Sequence, residues 1–210
     1  MTKQSQCNGN VAGTLGLLRH VFSFLAMTQS TKIKIMKKLI IPTLLIALGI
    51  TCRFIPHMPN FAPIGAIAIF GALYLPKCWA IVLPISAMFL SDIFIGFYSW
   101  QVMASVYVGF ILMGVIGLLV RKNKKFSTIV GGTLLGSVLF FLLTNFSVWV
   151  FGTMYIHNFA GLMQSYYMAL PFFRNSLAGN LFYVGVLVGG YEAVKYFILN
   201  KKLSFISVQK

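Results

Sequence analysis

The chain has 210 residues, of which 59% are hydrophobic and only 9% charged, and its mean hydropathy is +0.87. A soluble domain carries about 25% charged residues, so this composition excludes a water-soluble globule and calls for an all-α integral membrane bundle of about six transmembrane helices at roughly 20 residues per crossing. The net charge of +15 does not describe a nucleic-acid surface, because the basic residues sit in short blocks between apolar runs, as in cytoplasmic loops that touch anionic lipid.

Residues 1–35 are rich in Ser, Thr, Gln and Asn. Their apolar patch, Val11 to Met27, is broken by Arg19 and His20, so it is too short to span a bilayer; a poor signal-like segment is an alternative reading. Met36-Lys37-Lys38 before an apolar run is a common membrane-protein beginning, which leaves 1–35 as a disordered tail or an over-extended start. The six-helix transmembrane domain then covers 36–200, and 201–210 form a basic cytoplasmic tail. Its expected helices are Leu39–Arg53, Ile64–Leu75, Trp79–Phe97, Val102–Val120, Ser127–Val150 and Asn175–Leu199. The second is shorter than a full crossing and is either tilted or partly re-entrant. A mixed segment, Phe151–Phe173, precedes the sixth, and Pro171-Phe172-Phe173-Arg174-Asn175 reads as a hinge entering it.

The positive charges set the orientation. Lys37-Lys38, Lys77, Arg121-Lys122 with Lys124-Lys125, and Lys201-Lys202 fall on one side if there are six crossings. That side is the cytoplasm, so both termini lie inside a bacterial inner (plasma) membrane. Three segments then face outwards: the proline-broken stretch Arg53–Gly65, the turn Gly96–Gln101, and Phe151–Arg174.

Their aromatic and uncharged polar residues fit either an interfacial belt or the walls of a small-molecule site. The belt accounts well for Tyr98, Trp100 and Tyr167. It accounts less well for His57, Asn60, Asn145 and Asn175, which sit near the ends of crossings where polar groups need partners. Trp149 lies one turn beyond Asn145 and adds a flat wall with an N–H donor. Arg53 and Asp92 lie near the outer ends of the first and third helices, and an ion pair between them is the expected arrangement, with direct ligand contact as the alternative. Glu192 and Lys195 are spaced for a local helix pair. Only two acids exist, and Cys7, Cys52 and Cys78 show no metal or disulfide spacing. No catalytic, metal or cofactor set is therefore expected, and an enzyme is the weakest of the function classes. Gly132-x-x-x-Gly136 and Gly185-x-x-x-Gly189 are spaced for close helix packing.

Arg53-x-x-x-His57-x-Pro59-Asn60-Phe61-x-Pro63, Ser91-Asp92, Thr144-Asn145-Phe146-x-Val148-Trp149, Tyr155 and Pro171-Phe172-Phe173-x-Asn175 together resemble an uncharacterised bacterial family of six-helix membrane proteins. That family looks like the substrate-binding S components of energy-coupling-factor (ECF) transporters, over Met36 to Leu199. In it the position after Gly179 is often acidic, and here it is Asn180. The resemblance implies a subunit that captures a vitamin or similar micronutrient from outside, cobalamin being one candidate. It also implies an ECF-type transmembrane partner and ATPases, which this chain, lacking a phosphate loop, does not supply. His57, Asn60, Asn145, Trp149, Tyr155 and Asn175 are the expected substrate-binding residues. The alternative is a membrane scaffold or assembly partner without a ligand.

Overall fold

Six helices and no strand account for the described residues: α1 Leu39–Phe54, α2 Ile64–Tyr74, α3 Trp79–Ile95, α4 Trp100–Val120, α5 Phe126–Phe151 and α6 Phe159–Val208. The computed structural model describes residues 39–56 and 58–208, without side chains at 199 and 201–208. The expectations for residues 1–35 and for His57 thus lie outside the described residues. Residues 44–210 form one compact unit, which holds all the packing and the site described here. α4, α5 and residues Phe159–Ile198 of α6 are long and apolar enough to cross a membrane, while α1, α2 and α3 are shorter apolar helices.

α2 is the centre of the bundle. It touches α3, α4, α5 and α6, and Ile64 to Leu73 are all buried. A helix enclosed by protein on every side is apolar all round, which explains why this short run shows no polar face. Its 11 residues span about 16 Å, roughly half the hydrocarbon core. It can belong to a crossing only together with its flanking loops. Between apolar helices in lipid the gain comes from close packing rather than from leaving water, and Ala66, Ala68 and Ala72, each 0% exposed, permit that closeness. The C-terminal carbonyls of α2 lack helical partners. Arg121, just past α4, supplies them: its Nη1 donates to Leu75 O at 2.7 Å and Ala72 O at 3.2 Å. A residue that marks the basic loop in sequence is thus also a helix cap.

Small residues set the helix crossings. Pro84 inside α3 has no N–H, so the Ala80 carbonyl loses its helical donor. Gly114 of α4 packs against that carbonyl so closely that a Cβ there would collide with it. In α5, a Cβ at Gly132 would strike Val120, and one at Gly136 would lie 3.2 Å from Met113, so this glycine pair seats α5 on α4. Gly185 and Gly189 of α6 behave differently: a Cβ on either meets nothing within 4 Å.

The largest departure from the sequence expectation is α6. The helix begins at Phe159, not Asn175, and runs 50 residues through Pro171 and into the expected C-terminal tail. Pro171 deprives the Tyr167 carbonyl of its helical donor, and isolated sequence logic ends a helix there. Tertiary anchors hold it. Ser165 Oγ donates to Asn145 O at 3.1 Å, Tyr166 OH donates to Leu142 O at 3.0 Å, and the Phe173 ring stacks 4.6 Å from Phe141. The polar and aromatic residues that read as a loop are thus the face by which α6 grips the end of α5.

Candidate functional site

The proline stretch folds as a turn because of its residue types. Phe61 N donates to Met58 O at 3.0 Å, with Pro59 and Asn60 between them. Proline presets the first central position, and Asn60 takes the left-handed conformation at φ 63°, which Asn tolerates better than most residues. Asn175 Nδ2, from α6, donates to Pro59 O at 3.2 Å and fastens the turn to the bundle.

Beside this turn lies the Arg53–Asp92 pair. Arg53 Nη1 stands 2.7 Å from Asp92 Oδ1, with Asp92 1% and Arg53 19% exposed. The same nitrogen donates to Ser91 Oγ at 2.6 Å, and Ser91 passes its own proton to the Ala87 and Met88 carbonyls. Tyr107 OH donates to Asp92 Oδ2 at 2.9 Å. Oδ1 has no aligned hydrogen-bond donor, so its contact with Arg53 is one of charge rather than of directed hydrogen bonding. All of the Arg53 contacts use Nη1. The Nε and Nη2 groups have no partner among the described residues. The sequence left open whether Arg53 is paired or faces a ligand; the structure shows the pairing and puts Arg53 in the lining of a cavity.

Arg53 lines a cavity of about 320 Å³ at this end of the bundle, to which all six helices or their loops contribute. Asn60 and Tyr98 line it from loops, Phe110 from α4, Phe140 and Asn145 from α5, and Asn180 from α6. A smaller recess of about 140 Å³ shares Asn60, Phe140, Thr144 and Asn145 with it. The phenol of Tyr98, outside the helices, is pushed up by burial and then by the Asp92 charge, with Arg53 opposing; it stays a neutral hydroxyl at physiological pH.

The amides on the far wall are oriented by their neighbours. Asn145 Nδ2 donates to Phe141 O at 2.8 Å, and a carbonyl can only accept, which fixes the amide's orientation and leaves Oδ1 and the second N–H over. Ser137 Oγ spends its proton on Thr133 O at 2.8 Å and therefore accepts from Asn180 Nδ2 at 3.0 Å. Asn180 is 5% exposed, and its Oδ1 has no donor among the described residues. It lies against Gly65, where a Cβ would overlap it.

The expected site residues divide. Asn60 and Asn145 line the cavity. Trp149, Tyr155 and Asn175 do not. Trp149 turns towards the α5–α6 loop, where its Nε1 donates to Ile156 O at 3.0 Å and its ring meets His157. Tyr155 sits on that same loop. Asn175 is occupied by the Pro59 carbonyl and lines a separate, shallow pocket. The sequence reading did not select Tyr98, Thr144, Ser176 or Asn180 as binding residues. Asn180 stood out only as a departure from a family pattern, although a polar residue deep in an apolar helix is itself a signal.

Among the described residues, no group of three or more His, Cys, Asp or Glu side chains is placed to hold a metal ion. Glu192 and Lys195 pair at 3.3 Å, as their spacing suggests. No curated protein and no solved structure matches the chain. A family model does, over residues 33–202, and the chain therefore belongs to the family of unknown function DUF6580.

Proposed function

We infer that this protein is a membrane subunit that binds a small molecule, a vitamin or related micronutrient, from the outer face for uptake. The observation that carries this reading is the cavity. A bundle of apolar helices closes around about 320 Å³, a volume at the lower end of the range for ligand pockets. Its lining mixes aromatic and thioether walls with a few polar groups that have spare hydrogen-bonding capacity. The positive-inside pattern of the sequence supports a reading with this end outside and both termini in the cytoplasm of a bacterial inner membrane. The volume is too small for a corrinoid, which argues against cobalamin.

Uptake needs an energy source, and the resemblance to ECF S components supplies one in the form of a transmembrane partner with ATPases. The open face at Gly185 and Gly189 is consistent with a partner helix on α6, since small residues let helices approach in lipid. That same face also supports the scaffold reading, in which the protein assembles with partners but carries no ligand.

Native mass spectrometry of detergent-purified protein tests the choice. The expected result is a retained small molecule that is lost in Thr144→Trp, a substitution that fills the cavity. A protein that never carries or binds a small molecule, with Thr144→Trp equivalent to the native chain in cells, would overturn the uptake reading in favour of the scaffold.

A further inference from the structure

The two sides of the cavity offer different polar atoms. On the α5–α6 side Asn145 Oδ1 and Asn180 Oδ1 are acceptors without a donor among the described residues, while each amide nitrogen gives one N–H to the protein, to Phe141 O from Asn145 and to Ser137 Oγ from Asn180, and keeps its second. Thr144 is an acceptor there too, because its proton goes to Phe140 O at 2.8 Å. On the α1 side the free atoms are donors, the Nε and Nη2 groups of Arg53. Asn180 is the strongest element. Its side chain is buried, it lines the cavity, and its carbonyl oxygen finds no donor among the described residues. A ligand N–H would give that oxygen a partner.

Charge and shape narrow the class further. Arg53 is already neutralised by Asp92 at 2.7 Å. An anionic or a cationic ligand would therefore leave an unbalanced charge in a low-dielectric site. The lining also holds Phe110 and Phe140, which pack on each other with centroids 4.7 Å apart, together with Met88 and Met113. Their outer surfaces suit an apolar ring. At about 30 Å³ per liquid water and the denser packing of organic solids, the volume suits roughly 10–15 non-hydrogen atoms.

Resting on the uptake reading, we propose that the ligand is an uncharged planar heterocycle with a ring N–H on one edge, bound by Asn180 and Asn145, and a carbonyl on the opposite edge, bound by Arg53. No covalent step is involved; the site recognises and releases.

The test is binding by thermal stabilisation and calorimetry in detergent, with four probes on one ring system: hypoxanthine, purine, 9-methylhypoxanthine and purine-6-carboxylate. They respectively carry both groups, lack the carbonyl and with it the N1–H, lack the imidazole N–H, and replace the carbonyl by an anion while also lacking the N1–H. Hypoxanthine is expected to bind best, each of the others about tenfold or more weaker for at least one lost hydrogen bond. Asn145→Leu is expected to erase the difference between hypoxanthine and its 9-methyl form. Arg53→Lys, which keeps the charge opposite Asp92, is expected to erase the difference from purine. Asn180→Leu is the direct variant for the floor, and Asn145→Leu keeps the test alive if Asn180→Leu does not fold. Equal binding of all four, preference for the carboxylate, or binding of none overturns the ligand class. In those cases the uptake reading survives only if native mass spectrometry still finds a retained molecule that Thr144→Trp excludes, so the two failures are separable.

Discussion

Arg53→Met is the most informative single perturbation of the fold. It removes the cation 2.7 Å from an aspartate that is 1% exposed. Asp92 keeps one hydrogen bond, from Tyr107, and its Oδ1 has no other donor. Breaking a buried pair from one side costs about 3–5 kcal/mol, because the remaining charge is desolvated without compensation. Asp92→Asn should cost less, about 1–3 kcal/mol, since Arg53 is partly exposed and retains Ser91 and Met88. The double variant Arg53→Met/Asp92→Asn removes both charges and leaves Tyr107 an amide oxygen to bond. It should be more stable than Arg53→Met alone, with a coupling of about 2 kcal/mol or more. The assay is thermal unfolding in detergent, where about 1 kcal/mol corresponds to roughly 2–4 °C for a chain of this size. Arg53→Met is thus expected to lose on the order of 10 °C and the double variant to regain part of it. A loss under about 1 kcal/mol for Arg53→Met, or a double variant no better than the single, would show that the pair is solvated and refute the argument.

Three further outcomes follow from the packing. Gly132→Leu should lower the melting temperature through overpacking against Val120, by about 1–3 kcal/mol, while Gly189→Leu, which enters open space, should leave it unchanged; equal effects would contradict the helix seating. Arg121→Met strips two carbonyl contacts from the end of α2 and should cost about 2 kcal/mol or more, against no measurable change for Lys122→Met in the same unfolding assay. Trp149→Phe loses the bond to Ile156, so limited proteolysis should cut faster between 151 and 158, while the mass of any retained ligand stays the same; a lost ligand would place Trp149 in the site after all.

How much of this was legible beforehand depends on the range of the forces involved. Apolar length and the scarcity of charge identified the helices, and α3, α4 and α5 begin and end within two residues of the sequence expectation. Pro59-Asn60 announced the turn through backbone sterics, which need no partner. The ion pair followed from the cost of burying either charge alone. The course of α6 was not legible, because Pro171 and the polar run before it oppose a helix locally; only the contacts with Asn145, Leu142 and Phe141 on α5 offset that.

The site shows the same division. Sequence could say that Asn60 and Asn145 were polar residues in need of partners near one end of the bundle, and it grouped Trp149, Tyr155 and Asn175 with them on the same ground. Which of these found a partner within the protein and which kept a free atom is a matter of helix rotation and neighbours. Trp149 and Asn175 bond Ile156 and Pro59 away from the cavity. Asn145 and Asn180 line the cavity, each with its Oδ1 lacking a donor among the described residues. Sequence alone therefore determined that this is a helical membrane-type chain with a polar, proline-turned end, because hydropathy and backbone sterics act along the chain. The tertiary structure alone decided which polar atoms remain unpaired there, because hydrogen-bond satisfaction is settled between residues far apart in sequence.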